Sequence, residues 1–151
     1  MSVGQRLHDL GLVLPQVPAP VAAYVPAVRS GSMIYTSGQL PFVAGELLHA
    51  GLVGEQVSVA EAVACARQCA LNALAAIASQ AESLDAVRIV KVVGFVASAD
   101  GFTGQPQVIN GASELFGAVL GDRGVHARSA VGVAQLPLGA PVEVEVIAEV
   151  L

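Results

Sequence analysis

Three places in the chain carry side chains whose type and setting could do chemistry: Arg128, Glu143 and the pair Ser37–Gly38. Arg128 stands near the head of "HARSAVGVAQLP" (126–137), a strand-like stretch of small apolar residues, in a chain with only seven Lys plus Arg. Alternation along a strand puts Ala130, Gly132 and Ala134 on the same face as Arg128. Over such a floor a guanidinium has room for a planar ligand, and its fork suits a carboxylate held by two hydrogen bonds. An ion pair with a glutamate across the sheet, or across an interface, accounts for the same arginine. Glu143 opens "EVEVIAE"; a carboxylate facing a cavity there could orient or deprotonate a water, or it could be a solvated outer-face residue. In "YTSGQLP" (35–41), Ser37 and Gly38 could offer a hydroxyl and a closely approached backbone N–H to an oxyanion. A turn at a strand end explains those letters equally well.

The spacing of these residues imposes a condition. In a simple hairpin across "PLGAP", Gln135 lies opposite Glu143, and Arg128 is roughly 23 Å further along at about 3.3 Å per residue. For both to serve one site, either the two strands do not pair directly or the site joins neighbouring chains. Other chemistries lack support. No histidine stands in a recognisable relation to Ser37, so a Ser–His–Asp triad is not indicated. "GFTGQ" is too loose for a phosphate-binding loop. Cys65 and Cys69 are four apart on a helix face, but there is no third cysteine, and His8, His49 and His126 are scattered. A zinc site would need more ligands, so no metal is expected, and the cysteines read as small buried thiols.

The elements that must position these residues follow from periodicity. Residues 1–20 read as a short turn or helix and then a proline-broken approach. Segments 22–28 and 32–40 read as two extended stretches around Gly31, and 41–51 as a turn with a short edge strand. Ser58 and Glu61 form a capping box. Val63, Ala66, Ala70, Leu74 and Ile77 then recur at helical spacing, and the helix is expected to end near Ser83. Residues 88–98 read as a largely buried strand. A second helix has Pro106 near its first turn, Gly121 just past its end and Asn110 inside it, facing solvent or a site. In the last strand Val142, Val144, Val146, Ala148 and Val150 share one face; Glu143, Glu145, Ile147 and Glu149 share the other. The order β-β-α-β-α-β-β suggests an α+β fold, a mixed sheet with both helices on one face.

Composition narrows the classes of function. The 151 residues suit one domain, 54% are hydrophobic and only 13% charged. So little charge covers a lone domain poorly, and a homo-oligomer that buries apolar strand faces is expected. No apolar run is long enough for a membrane span, and the N-terminus lacks the apolar core of a signal peptide. The net charge of −5 and the absence of a basic run argue against nucleic acid as a partner. A cytoplasmic protein that handles small molecules is the expectation.

Taken in order, "AAYVPAV", "MIYTSGQLP", the helix from Ser58, "VVGFVAS", "QVINGASELFGAVLG", "HARSAVGVAQLP" and "VEVEVIAEV" resemble the Rid (reactive intermediate deaminase) family, also called the YjgF or endoribonuclease L-PSP-like family. The resemblance runs from about Leu12 to Leu151 and looks closest to a bacterial branch without settled function. It implies a chorismate-mutase-like α+β domain spanning 1–151, with 1–20 as an N-terminal extension. It also implies a homotrimer whose sheets form a central barrel, with a cleft at each subunit interface. The activity implied is cofactor-free hydrolysis of 2-imino acids to 2-keto acids and ammonia. By the same resemblance Arg128 clamps the substrate carboxylate and Glu143 positions the water. Tyr24, Ser37, Gly38, Asn110 and the backbone at Ala130 line the substrate site. Many active relatives have a cysteine where this chain has Ala130. Two other readings stand beside the deaminase: a trimeric carboxylate-binding protein without turnover, and an endoribonuclease, which the acidic charge disfavours.

Overall fold

The computed structural model describes residues 1–17 and 23–151. In chain order the elements are α1 (Val3–Asp9), β1 (Ala27–Ser30), β2 (Met33–Thr36), β3 (Phe42–Val43), β4 (Glu46–Leu47) and α2 (Val59–Ala78). There follow β5 (Val87–Ala97), α3 (Gln105–Leu120), β6 (Ala127–Val133) and β7 (Val142–Val150). The main sheet has the order β1-β2-β7-β5-β6, antiparallel except for the parallel pair β5–β6. The architecture is therefore α+β with a mixed sheet, as the element order suggests.

The alternation of β7 is realised: Val142, Val144, Val146 and Ala148 are buried, while Glu143, Glu145, Ile147 and Glu149 lie half-buried on the opposite face. Both long helices pack on the valine face. The Cys69 thiol of α2 lies 3.7 Å from the Val142 carbonyl oxygen, and Ile109 of α3 sits against Gly94 of β5. The other face, carrying Tyr35, Val93, Phe95, Val131 and Ile147 beside the glutamates, has no helix packed on it among the described residues.

Helix α2 begins as its sequence dictates. Ser58 Oγ accepts from the Glu61 N–H, and the Glu61 carboxylate accepts from the Ser58 N–H, each at 3.1 Å. Those bonds hold the Glu61 carboxyl below its ordinary range. The helix stops at Ser79 rather than near Ser83, where the Ser79 hydroxyl donates to the Ala76 carbonyl at 2.6 Å and competes with the helical ladder. Cys65 and Cys69 are free and buried; loss of hydration pushes the Cys65 thiol up to about 11 and raises Cys69 too. Helix α3 has Pro106 in its first turn and Gly121 as its C-cap at φ 63°, as expected. Val3 and Leu7 of α1 join the core.

Two further local expectations are corrected, and one irregularity is added. The first extended stretch is strand only over 27–30, while 23–26 are irregular and Ala22 lies outside the described residues. Segment 41–51 forms a separate two-stranded hairpin, β3–β4, not an edge strand of the main sheet. In β5 a bulge falls between Ile89 and Lys91, re-phasing the strand so that Val92, Gly94 and Val96 face the core.

The contact between α2 and α3 depends on Gly111, where a Cβ would run into the Val63 carbonyl oxygen. Gly111→Ala is expected to cost about 2 kcal/mol net, the overpacking outweighing the roughly 1 kcal/mol gained in helix propensity. A lowered urea midpoint with unchanged slope is the expected result. An unchanged midpoint would mean the helices part at no cost.

Candidate functional site

The glutamate side of the site is built by an irregularity between β2 and β7. Tyr35 pairs with Ile147, but the next bridge joins Gln39 to Val144, so three residues of one strand span two of the other. The extra residue falls at Thr36–Gly38. The Thr36 hydroxyl accepts from the Val146 N–H at 3.0 Å, so the ladder closes over the irregularity. The Ser37 hydroxyl donates to the Val25 carbonyl at 2.6 Å, and the Ser37 N–H donates to the Pro26 carbonyl at 2.8 Å. These two bonds tie the segment carrying Tyr24 to the "TSGQ" stretch. Tyr24 itself is 69% exposed.

Gly38 is where the Glu143 side chain lies; any Cβ there would collide with the Glu143 carboxylate. Among the described residues no acceptor takes the Gly38 N–H. Burial, and then the charge of Glu145 two residues along the same face, raise the Glu143 carboxyl above its ordinary value of 4.5. Ser37, Gly38 and Glu143 thus come together as one cluster, with Glu143 rather than Glu145 against the glycine.

Arg128 belongs to a different cluster. It lies on β6 opposite Val92, on the helix-covered face, and turns toward α3. Its Nη1 donates to Asn110 Oδ1 at 2.8 Å and to Ser113 Oγ at 3.3 Å, and its Nη2 donates to the Pro106 carbonyl at 3.4 Å. No glutamate pairs with it among the described residues; the arginine–glutamate pair across the sheet is instead Arg88–Glu149, at 2.7 Å. Ser113 Oγ also lies 2.9 Å from His126 Nε2, and His126 Nδ1 lies 2.6 Å from the Gly124 carbonyl oxygen. Beside this network is a depression of about 350 Å³ between α3 and the entry to β6, with Asn110, Ser113, His126 and Arg128 as its polar wall.

The small-residue floor is used differently from the expectation. Arg128, Ala130 and Gly132 do share a face, but the Gln105 amide at the start of α3 lies where a side chain at Gly132 would point, and Ala130 packs against the core. The open space lies on the other side of Arg128, toward Gly117 and Gly124. Ala134 falls beyond the strand end.

Within one chain the two clusters are apart. Strand β5 separates β6 from β7, so no hairpin joins them. Arg128 is level with Val146 through Val92, three residues from Glu143, while Glu143 pairs with Phe95 on the opposite face. That amounts to about 10 Å across the strands and about 10 Å along them, with the sheet between. Sequence reasoning singled out Arg128, Asn110, Ser37, Gly38 and Glu143 as candidates but not Ser113 and His126, which the structure brings against Arg128. The only signal was that a serine inside a helix and a histidine just before a strand often have specific partners.

The profile of the family described as Endoribonuclease L-PSP matches residues 15–150. Protein TCP17 of Trypanosoma cruzi is 44% identical over 149 residues, covering 97% of this chain and 93% of its own. The 2-iminobutanoate/2-iminopropanoate deaminase of Salmonella typhimurium is 36% identical over 131 residues, covering 87% of this chain and 90% of its own. The crystal structure of Atu1372 from Agrobacterium tumefaciens, a protein with unknown function, superposes with a TM-score of 0.90 at 45% identity, over 99% of this chain and 92% of that one. A profile match over nearly the whole chain, with relatives of this identity at almost full length, places the chain in the Rid/YjgF family, the endoribonuclease L-PSP family.

Proposed function

We propose that this protein is a cofactor-free enamine/imine deaminase that hydrolyses 2-imino acids to 2-keto acids and ammonia. Its site is assembled between chains of a homotrimer with a chorismate-mutase-like barrel. The observation that carries the reading is the state of Arg128. Among the described residues three of its N–H groups are engaged. A guanidinium has about five N–H groups in all, which leaves Nε–H and one Nη2–H. Those can form the side-on edge that takes both oxygens of a carboxylate.

The chemistry asks little more. A protonated imine is already electrophilic at C2, so water is a sufficient nucleophile and no thiol is required, consistent with Ala130. Glu143 takes a proton from the attacking water, and a C2–O bond forms as the C=N electron pair moves to nitrogen. The carbinolamine then collapses: the proton passes from Glu143 to nitrogen, the C2–N bond breaks as the hydroxyl proton returns to Glu143 and the C2=O bond forms, and the keto acid leaves with ammonia, which takes the last proton from Glu143 as ammonium. The raised pKa of Glu143 suits a group that must both accept and return a proton. The Gly38 N–H, which no acceptor takes among the described residues, could donate to the hydroxyl oxygen as its proton leaves.

Assembly between chains is supported by the separation of the two clusters and by the uncovered face. Tyr35 and Val131 on that face are 45% and 44% exposed, and among the described residues β6 offers an unpaired edge. Another copy of the chain would bury these apolar groups and bring its own Glu143 within reach of Arg128.

The test is a competition assay. An amino-acid oxidase generates 2-imino acids in situ, and semicarbazide traps what survives. Suppressed trapping by purified protein is the expected result; unchanged trapping across several imino acids would refute hydrolysis. A second reading, carboxylate binding without turnover, is favoured by the completeness of the Arg128 cluster within one chain, independent of Glu143. It would be supported by a 2-keto acid that raises the melting temperature while no imino acid is hydrolysed. With a net charge of −5 and no basic run, ribonuclease activity has no electrostatic footing.

A further inference from the structure

Ser113 and His126 form, with Arg128, a hydrogen-bond chain with one consistent direction. The Gly124 carbonyl can only accept, so the 2.6 Å contact requires the proton on His126 Nδ1. In the Nδ1–H tautomer Nε2 carries a lone pair, and the Ser113 hydroxyl donates to it at 2.9 Å. With its proton committed there, Ser113 Oγ can only accept from Arg128, as the 3.3 Å contact requires. The histidine ring is further held edge-on by Phe116, with centroids 5.9 Å apart and planes at 87°.

We propose that Ser113 and His126 are positioning residues that set which edge of Arg128 faces the ligand. Asn110 and Ser113 together consume both protons of Nη1. A guanidinium held by two partners on Nη1 has its plane fixed about the Cδ–Nε bond, and exchange about Cζ–Nε is slowed with it, so the Nε–Nη2 edge stays turned to the carboxylate. Without the serine hydroxyl, Nη1 keeps a single partner and the guanidinium plane can swing, taking that edge away from the ligand. The relay through His126 keeps the serine from donating elsewhere, for example back into the helix. This assignment rests on the carboxylate-clamp reading for its consequence in catalysis, but the hydrogen-bond chain is a property of the protein alone.

The experiment is arginine- and histidine-selective ¹⁵N NMR on the intact oligomer, free and with pyruvate, for wild type, Ser113→Ala, Ser113→Thr and His126→Phe. The wild type should show neutral His126 protonated at Nδ1 and slow rotation of the Arg128 guanidinium. Ser113→Ala and His126→Phe should release that rotation, and Ser113→Thr, which keeps the hydroxyl, should restore it. Loss of one hydrogen bond to a charged group should weaken pyruvate binding and raise KM by about three- to tenfold, with kcat nearly unchanged. His126 protonated at Nε2, or Arg128 rotation equally slow in Ser113→Ala, overturns the proposal. If rotation responds as described while no imino acid is hydrolysed, the positioning role stands and the deaminase reading falls.

Discussion

Arg128→Ala is expected to lower imine hydrolysis at least about a hundredfold, because two charge-assisted hydrogen bonds of about 1.5–3 kcal/mol each are lost. The fold should not register the change. The side chain is only half-buried, and its partners are an exposed Asn110, a half-buried Ser113 and a helix-end carbonyl. A shift in unfolding free energy below about 1 kcal/mol is therefore expected. Arg128→Lys should recover little, since an ammonium keeps the charge but loses the fork. The oxidase–semicarbazide assay with wild type and both variants, alongside urea unfolding, reads both quantities. An alanine variant with wild-type activity would end the clamp assignment.

The second large effect concerns Glu143. Glu143→Gln keeps the shape of the side chain over Gly38 but cannot accept a proton, and should lower kcat by about a hundredfold or more with little change in KM. The wild-type rate should rise with pH as Glu143 loses its proton, over a limb lying above 4.5 because the carboxyl is raised. The same shift has a signed consequence for stability. A raised folded-state pKa means that the native state holds this proton where the unfolded chain has lost it. The group's contribution is therefore fully present below 4.5 and is lost as pH rises through the folded value. Glu143→Gln should remove that fall, so mutant and wild type differ in slope across the window. Parallel curves of stability against pH would mean Glu143 is not perturbed.

Much of the architecture was legible because it is local. The alternation of 142–150, the Ser58–Glu61 box and the Pro106 and Gly121 boundaries of α3 each depend on neighbours in sequence, and each is realised. What could not be read depends on which strands are neighbours. Periodicity says that Arg128 and Gly132 share a face, but not that β5 inserts between β6 and β7 or that the Gln105 amide takes the space beside Gly132. The Thr36–Gly38 irregularity arises from a shift of one residue between β2 and β7 that neither strand shows alone. Ser113 and His126 were missed for the same reason, since the turn after α3 brings them together and neither carries a motif. The candidate residues legible from the sequence were those whose local chemistry is unusual, an arginine among small residues and a glycine between polar ones.

Arg128 and Glu143 lie on opposite faces of the sheet in one chain, and on the proposed function they work together only across a chain boundary. Co-expression of Arg128→Ala and Glu143→Gln chains tests this most directly. Each variant alone should be inactive. In randomly mixed rings about a quarter of the sites would combine an intact arginine with an intact glutamate from its neighbour. Recovery of about that fraction of wild-type activity in the purified mixed oligomer is the predicted result. Activity no greater than the sum of the two separate variants, with mixing verified by mass, would contradict it.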